Sequence, residues 1–434
     1  MPRFHFVKPA LRSRAPSRNC AWLKLVGSLA AIFTSPIVAS DWPQFLGPAR
    51  NGVYGGSALS ETWPKDGPPV VWQKKVGQGF SGPVVKAGKL IVFHRIENKE
   101  TVECLEASNG KPSWVFNYPT AYRDDFGFDE GPRATPAMGD GRVYTYGAEG
   151  MLHCIESSTG RKLWSVNTKT EFHAGKGFFG IACSPLVEAN FVLINVGGRD
   201  GAGIVAFDAV SGKVVWKATE EEASYSSPTI ATFDGRSIAL VLTRAGLAGL
   251  EPTQGKLLFQ YPFRPPINSS VSAATPIVVG NRVFLSASYG TGAASLEVKG
   301  TSIKKLWQSD ELLSAHYATP VHHEGFLYGI HGRTDPGFEP PASLRCIELA
   351  TGKVVWEQKP FPAATITLAG KQLLILTERG ELIRATASPS GFKQTARAQI
   401  LPNQVRAHPA LADGFLYARS KDKLVCVDLG KKNN

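Results

Sequence analysis

Acidic residues are missing from the first 40 positions of this chain, where Arg3, Lys8, Arg12, Arg14, Arg18 and Lys24 stand without a counter-charge. Missing too is any apolar run of the roughly 20 residues a membrane-spanning helix needs. The run from Leu25 to Phe33 falls well short. It is followed by Thr34-Ser35-Pro36 and by Val38-Ala39-Ser40 before Asp41, the layout of a secretory signal with a small-residue cleavage site. The expectation is a cleaved signal over 1–40 and a periplasmic or secreted mature chain without an integral membrane segment. The only cysteine of this stretch, Cys20, precedes the apolar run, so no lipid-accepting cysteine follows it.

Cysteine is scarce elsewhere as well. Cys104, Cys154, Cys183, Cys346 and Cys426 form an odd set with no close pairing, which argues against a disulfide framework even in an oxidising compartment. A basic stripe is lacking: the chain holds 48 Lys+Arg against 36 Asp+Glu, and six of the 48 lie in the signal. The mild excess left is spread along the chain, which excludes nucleic acid as a partner. No helix-borne metalloprotease motif, nucleophile elbow or phosphate-binding glycine loop occurs. Catalysis by a recognisable side-chain constellation has no support.

What the chain does have is a phrase that returns. It reads Cys154-Ile-Glu-Ser-Ser-Thr-Gly160-Arg-Lys-Leu-Trp164 and recurs at Cys104–Trp114, Ala206–Trp216 and Cys346–Trp356, and more loosely at Gly249–Phe259. Each time an acidic residue precedes a glycine by four and an aromatic by eight. Alternating apolar residues, a glycine turn and a second alternating run make this a β-hairpin. The acid is expected to accept turn N–H groups, and the glycine to supply a positive φ. A return every 40–50 residues is the signature of a propeller or a similar array.

A second landmark opens a strand in each unit. It pairs two small residues, usually before a proline: Ser81-Gly82-Pro83, Ala134-Thr135-Pro136, Ser184-Pro185, Ser226-Ser227-Pro228, Ala274-Thr275-Pro276, Ala318-Thr319-Pro320 and Ala407-His408-Pro409, with Ala364-Thr365 degenerate. Between landmark and phrase lies another turn, such as Asp234-Gly235 or Asp413-Gly414. Each unit is therefore four antiparallel strands, a propeller blade. The last unit lacks its aromatic strand, and Pro69-Val-Val-Trp72 supplies one at the other end. The expected fold is all-β: an eight-bladed β-propeller over 69–430, its ring closed by N- and C-terminal strands in one blade. A Pro/Gly-rich arm over 41–68 precedes it, pinned by Trp42 and Trp63, and a short tail, 431–434, follows. The chain is expected to be a monomer.

The residues just before the landmarks should ring one mouth of the central channel. Phe80, Arg133, Tyr225, Tyr317 and Arg406, flanked by His316 and His408, would hold a planar anion by bidentate bonds and stacking. The competing reading is a polar, water-filled channel whose arginines are satisfied by carbonyls. One loop is rich in carboxylates, and Asp124, Asp125 and Asp129 are candidate Ca²⁺ ligands. An arginine-paired, solvated loop is the alternative.

The phrase ending Thr-Gly-Lys-Val-Val-Trp, the Ala-Thr-Pro openings and the eight units resemble the pyrroloquinoline-quinone (PQQ)-like repeat propellers. That superfamily holds quinoprotein alcohol dehydrogenases and also a cofactor-free assembly factor of the outer-membrane β-barrel machinery. The resemblance implies the fold and leaves the activity open. The dehydrogenases cover their quinone with adjacent cysteines and stack it on a tryptophan, whereas this chain has no Cys-Cys pair and its six tryptophans after the arm all fall at blade positions. The expectation is a binding or scaffolding module of the cell envelope, without cofactor, whose partner is an envelope protein or a small anionic ligand. The alternative is a divergent quinone-dependent oxidoreductase holding PQQ and Ca²⁺ in the channel.

Overall fold

The computed structural model describes residues 40–268, 270–333 and 342–431. The signal expected over 1–40 and the tail at 431–434 lie almost wholly outside them. The regular structure of the described chain is nearly all β, in eight antiparallel blades, seven of them built from strands that follow one another in sequence. Blade 1, for example, is built from Val84–Lys86, Lys89–Ile96, Lys99–Glu106 and Pro112–Pro119. Blade 8 takes Ala410–Ala412, Phe415–Arg419 and Lys423–Asp428 from the C-terminal end and Val70–Lys75 from the N-terminal end. Trp72 pairs with Cys426 in that blade, so the ring closes as its sequence implies.

The recurrent phrase builds the seams between blades. Its first residue sits directly across the ladder from its aromatic: Cys104 opposite Trp114, Cys154 opposite Trp164, Ala206 opposite Trp216, Cys346 opposite Trp356. Only a small side chain fits beneath an indole there, which accounts for four of the five buried, unpaired cysteines, all but Cys183. Burial in this apolar setting pushes the Cys104 and Cys346 thiols up to about 11. A β-bulge just before each of these aromatics tilts it toward the next blade.

There each indole N–H donates to a turn carbonyl of the following blade. Trp114 reaches Ser157 O at 2.8 Å, Trp216 reaches Pro252 O at 2.9 Å, and Trp72 reaches Ala107 O at 2.9 Å across the closure. The ring lies on that turn's glycine. A Cβ on Gly212 would stand 2.6 Å from Trp164, and one on Gly255 2.4 Å from Trp216. The phrase glycine therefore serves twice, by its positive φ and by having no side chain where the neighbour docks. Its acid does what was expected at Asp208 and Glu251, accepting N–H groups of Ser211 and of Thr253 and Gln254. At Glu156 and Glu348 the longer carboxylate reaches a threonine hydroxyl instead.

The small-residue landmark ties the inner strands together. The N–H of Gly82 donates to Thr135 Oγ1 at 3.1 Å, that of Thr135 to Ser184 Oγ at 2.9 Å, and that of Ser184 to Ser227 Oγ at 2.9 Å. A hydroxyl in each of blades 2, 3 and 4 thus satisfies a buried amide in the blade before it, where no strand partner is available.

The N-terminal arm crosses the axis. Trp42, only 2% exposed, exchanges two backbone bonds with Val85 of blade 1, and Pro43 O accepts from Met138 N of blade 2. The Arg50 guanidinium donates to Ser184 O and Pro185 O of blade 3. Val53–Tyr54 then adds a parallel strand to Ala364–Ala369 of blade 7, and Trp63 packs under the Arg384 guanidinium. Spanning from blades 1–3 to blade 7, the arm closes one end of the channel.

Candidate binding site at the channel mouth

Phe80, Arg133, Tyr225, His316, Tyr317, Arg406 and His408 line a single cavity of about 470 Å³ on the propeller axis, together with Ala182 and Ala273. Ala363, the remaining ring position, does not line it. The spacing of the landmarks thus brought seven residues, at the landmarks of five blades, into one place. The cavity differs in polarity from the water-filled channel of the competing expectation. Its walls are mostly aromatic, and Phe45 of the arm forms part of its floor.

Most of the wall escaped the sequence. Phe126, Phe128, Phe178, Phe179 and Ile267 come from loops between blades, and Tyr289 and Arg333 from connections within blades 5 and 6, where no repeat marks a position. A signal existed in the doublet Phe178-Phe179 and in the aromatics of the carboxylate-rich loop. The Tyr225 hydroxyl accepts the N–H groups of Phe178 and Phe179 at 2.7 and 3.1 Å and fixes that doublet. Burial raises the Tyr225 phenol above its ordinary range, so it stays protonated.

The arginines of the mouth are matched. Arg406 Nε meets Glu378 at 2.9 Å, and the same carboxylate accepts the Tyr317 hydroxyl at 2.8 Å. The Arg406 guanidinium lies over the rings of Phe128, Phe80 and Tyr317, 5.2 to 5.8 Å from their centroids. Arg133 donates to Asp124 at 3.2 Å and to Asp129 O at 3.0 Å. His316 Nε2 and the Tyr289 hydroxyl stand 3.2 Å apart. His408 meets the edge of Phe45 at a centroid distance of 5.5 Å, and neither ring nitrogen has a partner. Burial pushes its pKa down to about 3, so the imidazole is neutral at ordinary pH.

The three candidate Ca²⁺ ligands each have partners within the protein. Asp124 accepts the N–H groups of Phe126, Phe128 and Asp129 besides Arg133, Asp129 accepts Gly131 N at 2.7 Å, and Asp125 turns away to Lys176 at 2.7 Å. These carboxylates shape the loop that presents Phe126 and Phe128. Among the described residues no three His, Cys, Asp or Glu side chains are grouped to hold a metal. The cavity offers stacking surface, hydroxyls and matched charge, a chemistry of binding.

Comparison with known proteins gives two kinds of relative. A family model described as outer membrane protein assembly factor BamB matches residues 98–358. The assembly factor BamB of Yersinia pestis is 20% identical over 65% of this chain and 70% of its own length. A quinohemoprotein alcohol dehydrogenase of Comamonas testosteroni is 32% identical over 133 residues, 29% of this chain but 17% of that enzyme. The solved structure of BamB from Moraxella catarrhalis superposes with a TM-score of 0.60 at 15% identity, covering 84% of this chain and 99% of that one.

Proposed function

The chain belongs to the BamB-like family of PQQ-repeat propellers, and from that premise we propose that it is an exported, monomeric binding or scaffolding module of the cell envelope, working without a cofactor. The carrying observation is the apolar rim of the mouth. Phe126, Phe128 and Ile267 are 55%, 40% and 50% exposed, side by side around a concave aromatic cavity. Exposed apolar surface gathered at one concavity marks an interaction site. An envelope protein would seat an apolar segment there, and the arginine–carboxylate pairs behind the rim would give the patch its polar border.

The test compares full chain with a Phe126→Ser, Phe128→Ser variant as bait against the solubilised envelope fraction. A protein retained by the parent and lost from the variant supports the reading. Identical capture by both, or by neither, refutes it.

The second reading, a quinone-dependent oxidoreductase, draws on the 32% identity to a dehydrogenase segment. The site does not fit the quinone as those enzymes hold it. No tryptophan or cysteine lines the cavity, and Asp124, Asp125 and Asp129 are committed to amides, Arg133 and Lys176. Calorimetric titration of the chain with PQQ plus Ca²⁺ decides this: absence of binding heat eliminates the quinone form.

A further inference from the structure

The floor of the cavity carries chemistry that the mouth does not. Thr135, Ser184 and Ser227, from three consecutive blades, line it. Each hydroxyl oxygen accepts the N–H of the preceding blade at 2.9 to 3.1 Å. No acceptor within the described protein takes the hydroxyl hydrogens. They form an arc of three O–H donors, polarised by the N–H bonds they receive.

Directly behind Ser184 stands Arg50 of the crossing arm. Its guanidinium is buried, held by Ser184 O at 3.2 Å, Pro185 O at 3.0 Å and Gln44 Oε1 at 3.0 Å. It forms no ion pair among the described residues, and its Nε has no partner. Arg133 and Arg406 are each matched by a carboxylate, whereas the charge on Arg50 is not. A buried charge without a counter-ion is costly in a low-dielectric interior. Arg50 does not itself line the cavity, but Ser184, whose carbonyl it holds, does, so an anion on the Ser184 hydroxyl would lie in its field.

We propose that the arm-closed floor is an anion subsite and that the cavity takes a planar aromatic monocarboxylate, its carboxylate on the Thr135–Ser184–Ser227 arc in the field of Arg50 and its ring among the phenylalanines of the wall. The volume of about 470 Å³ lies in the range of small-molecule sites, roughly 300–1,000 Å³, and suits one or two fused rings. A single unmatched cation calls for a single negative charge, and no metal is required. The N-terminal arm is then part of the site, because it supplies both the plug, Phe45, and the charge, Arg50. The proposal is independent of the partner-binding rim: the titration below contains no partner protein, and the rim variant leaves Arg50 in place.

The experiment titrates the full chain with 2-naphthoate and with its neutral isostere 2-naphthamide by calorimetry at physiological salt. The naphthoate is expected to bind about tenfold or more tightly than the amide, the effect of a charge-assisted over a neutral hydrogen bond. Arg50→Lys should keep that preference and Arg50→Gln should abolish it, with melting curves confirming folded protein. Equal affinity for the two probes, no binding of either at millimolar concentration, or an undiminished preference in folded Arg50→Gln would overturn the proposal. Should Arg50→Gln fail to fold, the contrast between the two probes on the unaltered chain still decides.

Discussion

The blade seams and the channel mouth are made by the same repeat and obey opposite rules. At a seam six of the eight units do the same thing: a small residue sits under an aromatic, a bulge turns it, and an indole donates to the next turn. At the mouth every unit does something different. One landmark is preceded by phenylalanine, two by arginine, two by tyrosine and three by alanine. Repetition is what a closed ring requires, since each seam must match its neighbour. Divergence at the axis is what a site requires, since identical residues around a ring would give only a symmetric pore. Two seams depart from the pattern: blade 4 carries Phe259 at the docking position, and the arm places Trp63 against blade 7.

The contrast can be broken hardest at the closure. Deleting residues 41–76 removes the outer strand of blade 8, the docked Trp72 and the arm at once. Truncating one large buried aromatic costs about 3–5 kcal/mol, and total stability is typically about 5–15 kcal/mol. The truncated chain should therefore fail to fold, read as loss of the β-sheet circular dichroism signal; an unchanged melting temperature would disprove the closed ring.

Acid tests the floor next. An unfolded histidine binds a proton near 6.5, while His408 in the fold does so only near 3. Between these values the unfolded state holds more protons, so stability is fully present above about pH 6.5 and is lost as pH falls. At pH 4 the loss from this residue is on the order of 3 kcal/mol. His94, lowered to about 3, and His153 and His331, lowered to about 4, act in the same direction. Chemical denaturation at stepped pH should show a slope that His408→Phe reduces; identical slopes would contradict the buried neutral imidazole.

Two glycines sharpen the comparison at smaller scale. Gly212 and Gly141 have nearly the same φ, +73° and +72°, but only at Gly212 would a Cβ strike a neighbouring ring. Gly141→Ala should cost about 1 kcal/mol for backbone strain alone. Gly212→Ala should cost at least about 1 kcal/mol more, because Trp164 must undock. Equal costs in urea unfolding would mean that the indole does not rest on that turn. The smallest stability effect is expected at the rim, where Phe128→Ser should change unfolding by no more than about 0.5 kcal/mol. A large loss there would make Phe128 a core residue instead of a contact surface.

Much of this was legible in advance because propeller seams are local. The phrase at Cys154–Trp164 shows its hairpin, its small residue and its aromatic within eleven positions, so eight blades and their closure by Trp72 could be read from one line. The residues before the landmarks were legible for the same reason, since each holds a fixed offset from a strand start. The role of the carboxylate loop was not legible because a set of acids reads alike whether its oxygens face a cation or, as Asp124 does, the loop's own amides. Phe178 and Phe179 were illegible as wall because loops between blades have no register to a repeat.

By itself, then, the sequence determined the number of blades, the ring and the stations of Arg133, Arg406 and His408 around its axis. Only the tertiary structure decided that these stations surround an aromatic cavity closed at one end. That outcome depends on a non-repeating arm, from Trp42 to Tyr54, which touches blades 1, 2, 3 and 7 through contacts between residues far apart in the chain. Periodicity fixes what recurs at short range; the path of a segment without a period is set by which distant surfaces it can satisfy, and only the folded chain brings those surfaces together.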